Sequence, residues 1–159
     1  FEWFSSSIVY QKTEFADEFR DLMMHYFSSK KTLYHYISMA EGNYREYLKG
    51  EIVRAKKYFY VLRPVLACRW ILDRGTPPPM LFSELVKEEL PVELINPVNQ
   101  LLELKMNSSE VKLIKRITEI NEYLDESIPS IKSAVRLLDD SHTPDWSELN
   151  QLFLRELMK

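Results

Sequence analysis

Between Gly50 and Gly75 the chain carries apolar side chains on nearly every side of a helical projection: Phe59, Val61, Leu62, Val65, Leu66, Ile71 and Leu72. A helix that is apolar all round has no face to offer water, so it belongs at the centre of its fold with other elements packed about it. The spacing predicts this helix over Glu51–Arg74, with Gly75 as its stop. Pro64 falls in its interior. Proline removes one backbone donor and crowds the preceding turn, which predicts a kink near residues 60–64.

The flanking segments also read as helix. Thr13 offers an N-cap, and Phe15, Phe19, Leu22, Met23 and Tyr26 follow at helical spacing. Ser28 or Ser29 caps a second helix over Lys30–Lys49, with Leu33, Ile37, Ala40, Tyr44 and Leu48 on its apolar face and Gly50 as its stop. Thr76-Pro77-Pro78-Pro79 makes a rigid extended break. Two shorter helices follow over Leu81–Leu90 and Val92–Met106. Ser108 caps a long helix running to Asp125 or beyond, with the stripe Val111, Ile114, Ile117, Ile120 and Leu124. Pro129 interrupts or kinks it, and a further helical stretch reaches Leu138. Thr143-Pro144-Asp145-Trp146 reads as a helix start, and the last helix runs through Leu149, Leu152, Phe153 and Leu157. Only the opening residues differ. Ile8-Val9-Tyr10 is an edge strand or an extended lead-in. The expected fold is all-α, a helical bundle with a short extended N-terminal segment.

Composition excludes several chemistries. Glycine occurs only at positions 42, 50 and 75, so no Gly-rich phosphate loop can be written. The lone Cys68 allows no intrachain disulfide and no Cys-based zinc cluster, and on the central helix it reads as a small core residue. His25, His35 and His142 lack zinc-ligand spacing. Asp17 with Asp21, and Asp139 with Asp140, read as solvated surface pairs rather than a catalytic dyad. No apolar run is long enough to span a membrane and no signal peptide is visible, which points to the cytoplasm. The chain begins on Phe1, as a processed or trimmed product would.

Charge is unevenly spread. From Lys30 to Arg74 there are ten basic residues against four acidic ones, a net +6, which leaves −9 on the remainder of a chain whose total is −3. A basic segment on an acidic body fits an anionic ligand such as a nucleotide or nucleic acid. It equally fits basic helices that pair with acidic neighbours in the same fold. Two helical faces sharpen the first reading. Tyr36, Asn43 and Tyr47 share one stripe of the second helix, with His35 beside it. On the third, Lys56, Tyr60, Arg63 and Trp70 fall within an arc of about 80°. Aromatics interleaved with cations can hold a base by stacking and a phosphate by charge. The competing reading makes Tyr60 and Trp70 core residues, with Lys56 and Arg63 snorkelling or paired with acids.

The same residues carry a resemblance. The runs YHYISMA (34–40), NYREYL (43–48), KKYFYVLRPVLACRWI (56–71) and GTPPP (75–79) resemble a family of small bacterial and phage nucleotidyltransferases of the DNA polymerase β superfamily linked to RNA repair. The opening EWFSSSIVY (2–10) is similar to the segment joining that family's catalytic and helical halves. Pro144-Asp145-Trp146 with Leu149, Leu152 and Phe153 is similar to its closing helix. The resemblance implies that residues 1–12 are a linker from a catalytic half and that 13–159 form a helical, substrate-facing domain over the nucleotide site. The family's catalytic half carries a Gly-Ser turn and an Asp-x-Asp pair whose carboxylates hold two metal ions, magnesium in the intact protein. This chain has neither a Gly-Ser dipeptide nor an Asp-x-Asp triplet, so no catalytic residue or metal ligand is expected in it, and alone it should be inactive.

On that resemblance Lys56 and Arg63 contact triphosphate oxygens or an RNA phosphate, and Tyr36, Tyr47 or Tyr60 stacks or hydrogen-bonds. Asn43 reads a polar edge, His35 stands beside it, and Arg69 either contacts phosphate or ties helices together. The implied partners are a nucleoside triphosphate and RNA, with no membrane. A homodimer through an exposed N-terminal apolar surface of Phe1, Trp3 and Phe4 is also expected. The rival is a stand-alone helical protein-interaction or RNA-binding module, distinguished by whether a Gly-Ser and Asp-x-Asp half precedes Phe1 in the parent gene.

Overall fold

The structure, a computed structural model, describes residues 4, 6, 8–107, 112–139 and 144–158. Among them are seven α-helices and one two-stranded ladder, so the fold is all-α in the main, as the periodicity predicts. The Thr13 side chain accepts from the Ala16 amide at 3.3 Å and starts α1 (Glu14–His25). The Ser28 hydroxyl does the same for α2 (Ser29–Tyr47), accepting from the Lys31 amide at 3.1 Å. The expected stripe Leu33, Ile37, Ala40, Tyr44 and Leu48 is buried throughout.

Gly50 is not the stop of α2. The helix is capped at Leu48 with φ −116°, and among the described residues only Gly75 has a positive φ, 66°. The expected third helix also starts later. Residues Ile52–Arg54 form β1, and α3 runs from Lys57 to Arg74, ending at the left-handed Gly75. The β-branched pair Ile52-Val53 finds a distant partner: β1 pairs antiparallel with β2 (Leu113–Lys115), Val53 opposite Ile114. Val53 points into the core while Ile52 and Arg54 face solvent, the alternation a half-buried strand requires.

Helix α3 is central. Ten of its residues are buried, Pro64 and Cys68 among them, and it packs against α2 and two later helices, α4 (Phe82–Glu89) and α6 (Thr118–Leu137). Each large apolar side chain buried there contributes about 1.5–3 kcal/mol. A 3-10 turn at Val92–Leu94 leads into α5 (Ile95–Asn107). The long helix expected after Ser108 begins instead at Thr118, because Leu113–Lys115 is strand; Ser108 and Val111 lie outside the described residues. Pro129 sits within α6 without ending it. The last helix, α7 (Ser147–Leu157), starts three residues beyond Pro144. There the Asp145 carboxylate accepts from the Ser147 amide at 3.0 Å; Thr143, the expected cap, lies outside the described residues.

Helix α7 packs against α1. Tyr26 donates its hydroxyl to the Asp145 carbonyl at 2.6 Å, and its ring lies tilted against Trp146 with centroids 5.1 Å apart. At the N-terminus Ile8 and Val9 lie in no strand and are exposed. Phe4 is half-buried, edge-on to Phe19 at 5.3 Å, while Phe1 and Trp3 lie outside the described residues.

One buried polar group ties the bundle together. Asn121, on α6, is 2% exposed. Its amide nitrogen donates to the Leu48 carbonyl at 2.9 Å and to the Tyr44 hydroxyl at 3.4 Å. Its side-chain oxygen accepts from the Tyr58 hydroxyl at 2.7 Å, and Tyr58 in turn accepts from the Ile117 amide at 2.8 Å. Burial raises the hydroxyl pKa of both tyrosines, so they stay neutral donors. Replacing Asn121 with Ala strands the Tyr58 hydroxyl and the Leu48 carbonyl in the core. We expect a loss of about 3 kcal/mol in urea unfolding. A loss below about 0.5 kcal/mol would show that the network is dispensable.

Candidate functional site

The candidate residues gather where the end of α2 meets the start of α3. Lys57 places its ammonium 3.7 Å from the Tyr47 ring centroid and 4.5 Å from that of Tyr60. Tyr60 is 51% exposed, so its ring is a surface feature and not a core one. Tyr47 is half-buried against the core. A cation between two tyrosine rings is a stable local arrangement, worth on the order of 1 kcal/mol per contact, and it leaves aromatic surface facing outward.

Asn43 stands one helical turn before Tyr47. Its side-chain amide donates to the Met39 carbonyl at 2.9 Å and to the Tyr60 carbonyl at 3.3 Å. The second bond follows from Pro64. In a regular helix the Tyr60 carbonyl accepts the amide of the residue four positions on, and that residue here is proline, which has none. Asn43 supplies the missing donor from the neighbouring helix. Tyr36 and His35 lie two turns earlier on α2, their rings 5.6 Å apart, with His35 exposed and Tyr36 packed against the core.

Lys56 and Arg63 are half-buried. Arg63 donates to the Met80 carbonyl at 2.6 Å, fastening the segment after the proline run to α3. It also lines a cleft of about 500 Å³ with Phe59, Phe82, Lys87 and Lys105. The Lys105 ammonium lies 5.1 Å from the Phe59 ring. Arg69, nine residues beyond Tyr60, points to the opposite side of α3 and serves another face. It reaches the Tyr123 hydroxyl at 3.5 Å and lines a separate polar cleft with Asp73 and Glu126. Trp70 is clamped by Arg74 at 3.9 Å and donates to Thr76 at 3.1 Å. Arg74 also bonds Glu88 at 3.1 Å and the buried Glu89, whose carboxyl pKa burial raises. Thus Asn43, Tyr47 and Tyr60 meet, Arg63 adjoins them along α3, and Arg69 does not join them.

Lys57 is the member that sequence reasoning misses. A helix beginning at Glu51 favours Lys56, four residues from Tyr60; the true start makes Lys57, three residues away, the partner. Lys87 and Lys105 give no periodic signal, because the cleft joins three separate helices.

Among the described residues no three His, Cys, Asp or Glu side chains converge as metal ligands. Asp17 is tied to Lys12 at 3.0 Å and to Arg20 at 3.4 Å. Cys68 is buried, and desolvation pushes its thiol up to about 12, which removes it as a nucleophile at neutral pH. No described helix is long and apolar enough to cross a membrane.

Residues 1–155 match the model of the RNA repair pathway DNA polymerase beta family. The chain is 42% identical over 155 residues to a Bacillus subtilis (strain 168) protein called Uncharacterized protein YcgL. That alignment takes in 96% of this chain and 60% of YcgL, so the chain spans less than two thirds of that relative's length. No solved structure gives a significant match.

The Asn43–Tyr60 bond can be tested by a double-mutant cycle. Asn43→Ala should cost about 1 kcal/mol in the native chain and distinctly less when Pro64→Ala restores a backbone donor to the Tyr60 carbonyl. Equal costs in both backgrounds would mean that Asn43 does not compensate the proline.

Proposed function

The chain belongs to the RNA repair pathway DNA polymerase beta family, and from that premise we propose that it is the helical, substrate-facing part of a nucleotidyltransferase. Its α2–α3 seam helps bind nucleotide or RNA. The metal-binding Gly-Ser and Asp-x-Asp elements are contributed by polypeptide outside this chain. Magnesium, when bound there, neutralises phosphate charge during nucleotidyl transfer; this chain binds and orients.

The observation that carries the reading is the Tyr47–Lys57–Tyr60 cluster beside Arg63 at one end of α3. An exposed ring suits a base or ribose, and cations held in place by rings and backbone suit phosphate oxygens without a large ordering cost. Pro64 and Asn43 together hold the Tyr60 backbone where the two helices cross. Lys56 adds charge at the start of α3, and Tyr36 and His35 extend the same face of α2. Arg69, on another face, ties helices together. We place it outside the substrate site.

A protein-interaction role has one observation in its favour. Phe153, Leu154, Leu157 and Met158 on and just after α7 are each more than half exposed, an apolar surface that water does not favour. It lies away from the α2–α3 seam and is compatible with the first reading.

In the intact protein, Arg63→Ala should weaken nucleotide or RNA binding by about 1–3 kcal/mol through removal of a charged hydrogen bond. Because Arg63 also holds the Met80 carbonyl, Tyr60→Ala is the companion variant, its ring being exposed and its removal harmless to the core. Both should bind more weakly while unfolding as native-like domains. Unchanged affinity in both, with folding intact, would remove the seam from the binding site.

A further inference from the structure

The ladder formed by β1 and β2 has an outer face that neither composition nor helical periodicity anticipates. Register sets Ile52 opposite Lys115 and Arg54 opposite Leu113. All four side chains are exposed, so cations and aliphatic groups alternate across a small flat surface. The two cations stand on a diagonal, about 7–8 Å apart at the backbone. Lys112 and Arg116 flank β2 immediately, also exposed, and backbone bonds from Ala55 to the Lys112 carbonyl at 3.0 Å and from Arg116 to the Glu51 carbonyl at 2.9 Å fix both ends.

Among the described residues none of Arg54, Lys112, Lys115 and Arg116 is in an ion pair, although elsewhere Lys49 meets Asp125 and Lys132 meets Glu41. Glu51 stands at the ladder's edge in one cleft with Ile52, Lys115 and Arg116, and the Asp125 carboxyl, held below its usual range first by Lys49, also feels the Arg116 charge. Arg54 and Lys115, exposed on one face of the ladder and in no ion pair among the described residues, raise the potential there, and a polyanionic ligand lowers it. In the chain the ladder directly precedes α3, with Arg54 three residues before Lys57.

We propose that this ladder is a binding track for the sugar-phosphate backbone of single-stranded RNA. Arg54 and Lys115 contact phosphates, while Ile52 and Leu113 cover the apolar faces of ribose or base. The proposal rests on the reading above that the intact protein acts on RNA. Single strands suit the surface better than a duplex, because its exposed apolar groups need unstacked rings to cover them.

The test is titration of the intact protein against a labelled single-stranded RNA of about a dozen nucleotides across a salt series. The double variant Arg54→Gln/Lys115→Gln should bind on the order of tenfold more weakly at low salt, with the log–log salt slope reduced by about 1.4, or about 0.7 for each phosphate left unneutralised. The control, Lys31→Gln/Arg136→Gln, removes the same charge at the opposite end of the bundle, where Lys30 meets the Leu138 carbonyl at 2.7 Å. It should leave both quantities near native. The proposal is overturned if the ladder variant binds RNA as the native protein does, if the control weakens binding equally, or if polyglutamate binds with the same affinity and sensitivity. Nucleotide affinity measured on the same samples keeps the two readings apart. A ladder variant with native RNA binding, beside an Arg63→Ala protein that has lost nucleotide, would sink the track and leave the substrate-facing role standing.

Discussion

The fold turns on one asparagine. Asn121 meets the carbonyl that ends α2, the Tyr44 hydroxyl on α2 and the Tyr58 hydroxyl near the start of α3. Through Tyr58 it also reaches the Ile117 amide, just past β2. Apolar packing alone would let these elements slide against one another, since it is not directional. A fully satisfied buried amide permits only one arrangement, because any shift leaves a donor or acceptor unpaired. Loop, ladder and helix ends are therefore fixed together at the same end of the bundle that carries the candidate site.

The proline of α3 belongs to the same design. Pro64 removes a donor from the central helix, and Asn43 replaces it from α2, so the interruption becomes a cross-link between the two helices and not a weak point. Tyr60 presents its ring outward from that cross-link, with Lys57 held between it and Tyr47. On the proposed reading this placement has a consequence: a surface that receives a charged ligand loses less on binding when its side chains are already placed.

Much of this architecture is legible in the residues. The α2 stripe from Leu33 to Leu48 is buried as its spacing predicts, α3 is central because it is apolar all round, and Gly75 adopts the left-handed stop. The ladder is not legible. Three-residue strands carry almost no periodic signal, and Ile114 and Ile117 continue a plausible helical stripe into α6. Pairing with Ile52-Val53, more than fifty residues earlier, decides the matter and is invisible locally. At the site, Tyr60 and Arg63 stand out as one face, but Lys57 does not until the helix start is known. The role of Asn43 needs the proline gap and the packing of two helices. Arg69 illustrates the reverse: its charge suggests a phosphate contact, while its position on α3 turns it toward Tyr123.

The central claim is that the α2–α3 seam faces the nucleotide. Hydrogen exchange on the intact protein, with and without a nucleoside triphosphate and magnesium, addresses it directly. Added protection should concentrate in residues 43–63, where Asn43, Tyr47, Lys57, Tyr60 and Arg63 lie. Protection confined to α1 and α7, with the seam exchanging at its ligand-free rate, would contradict it.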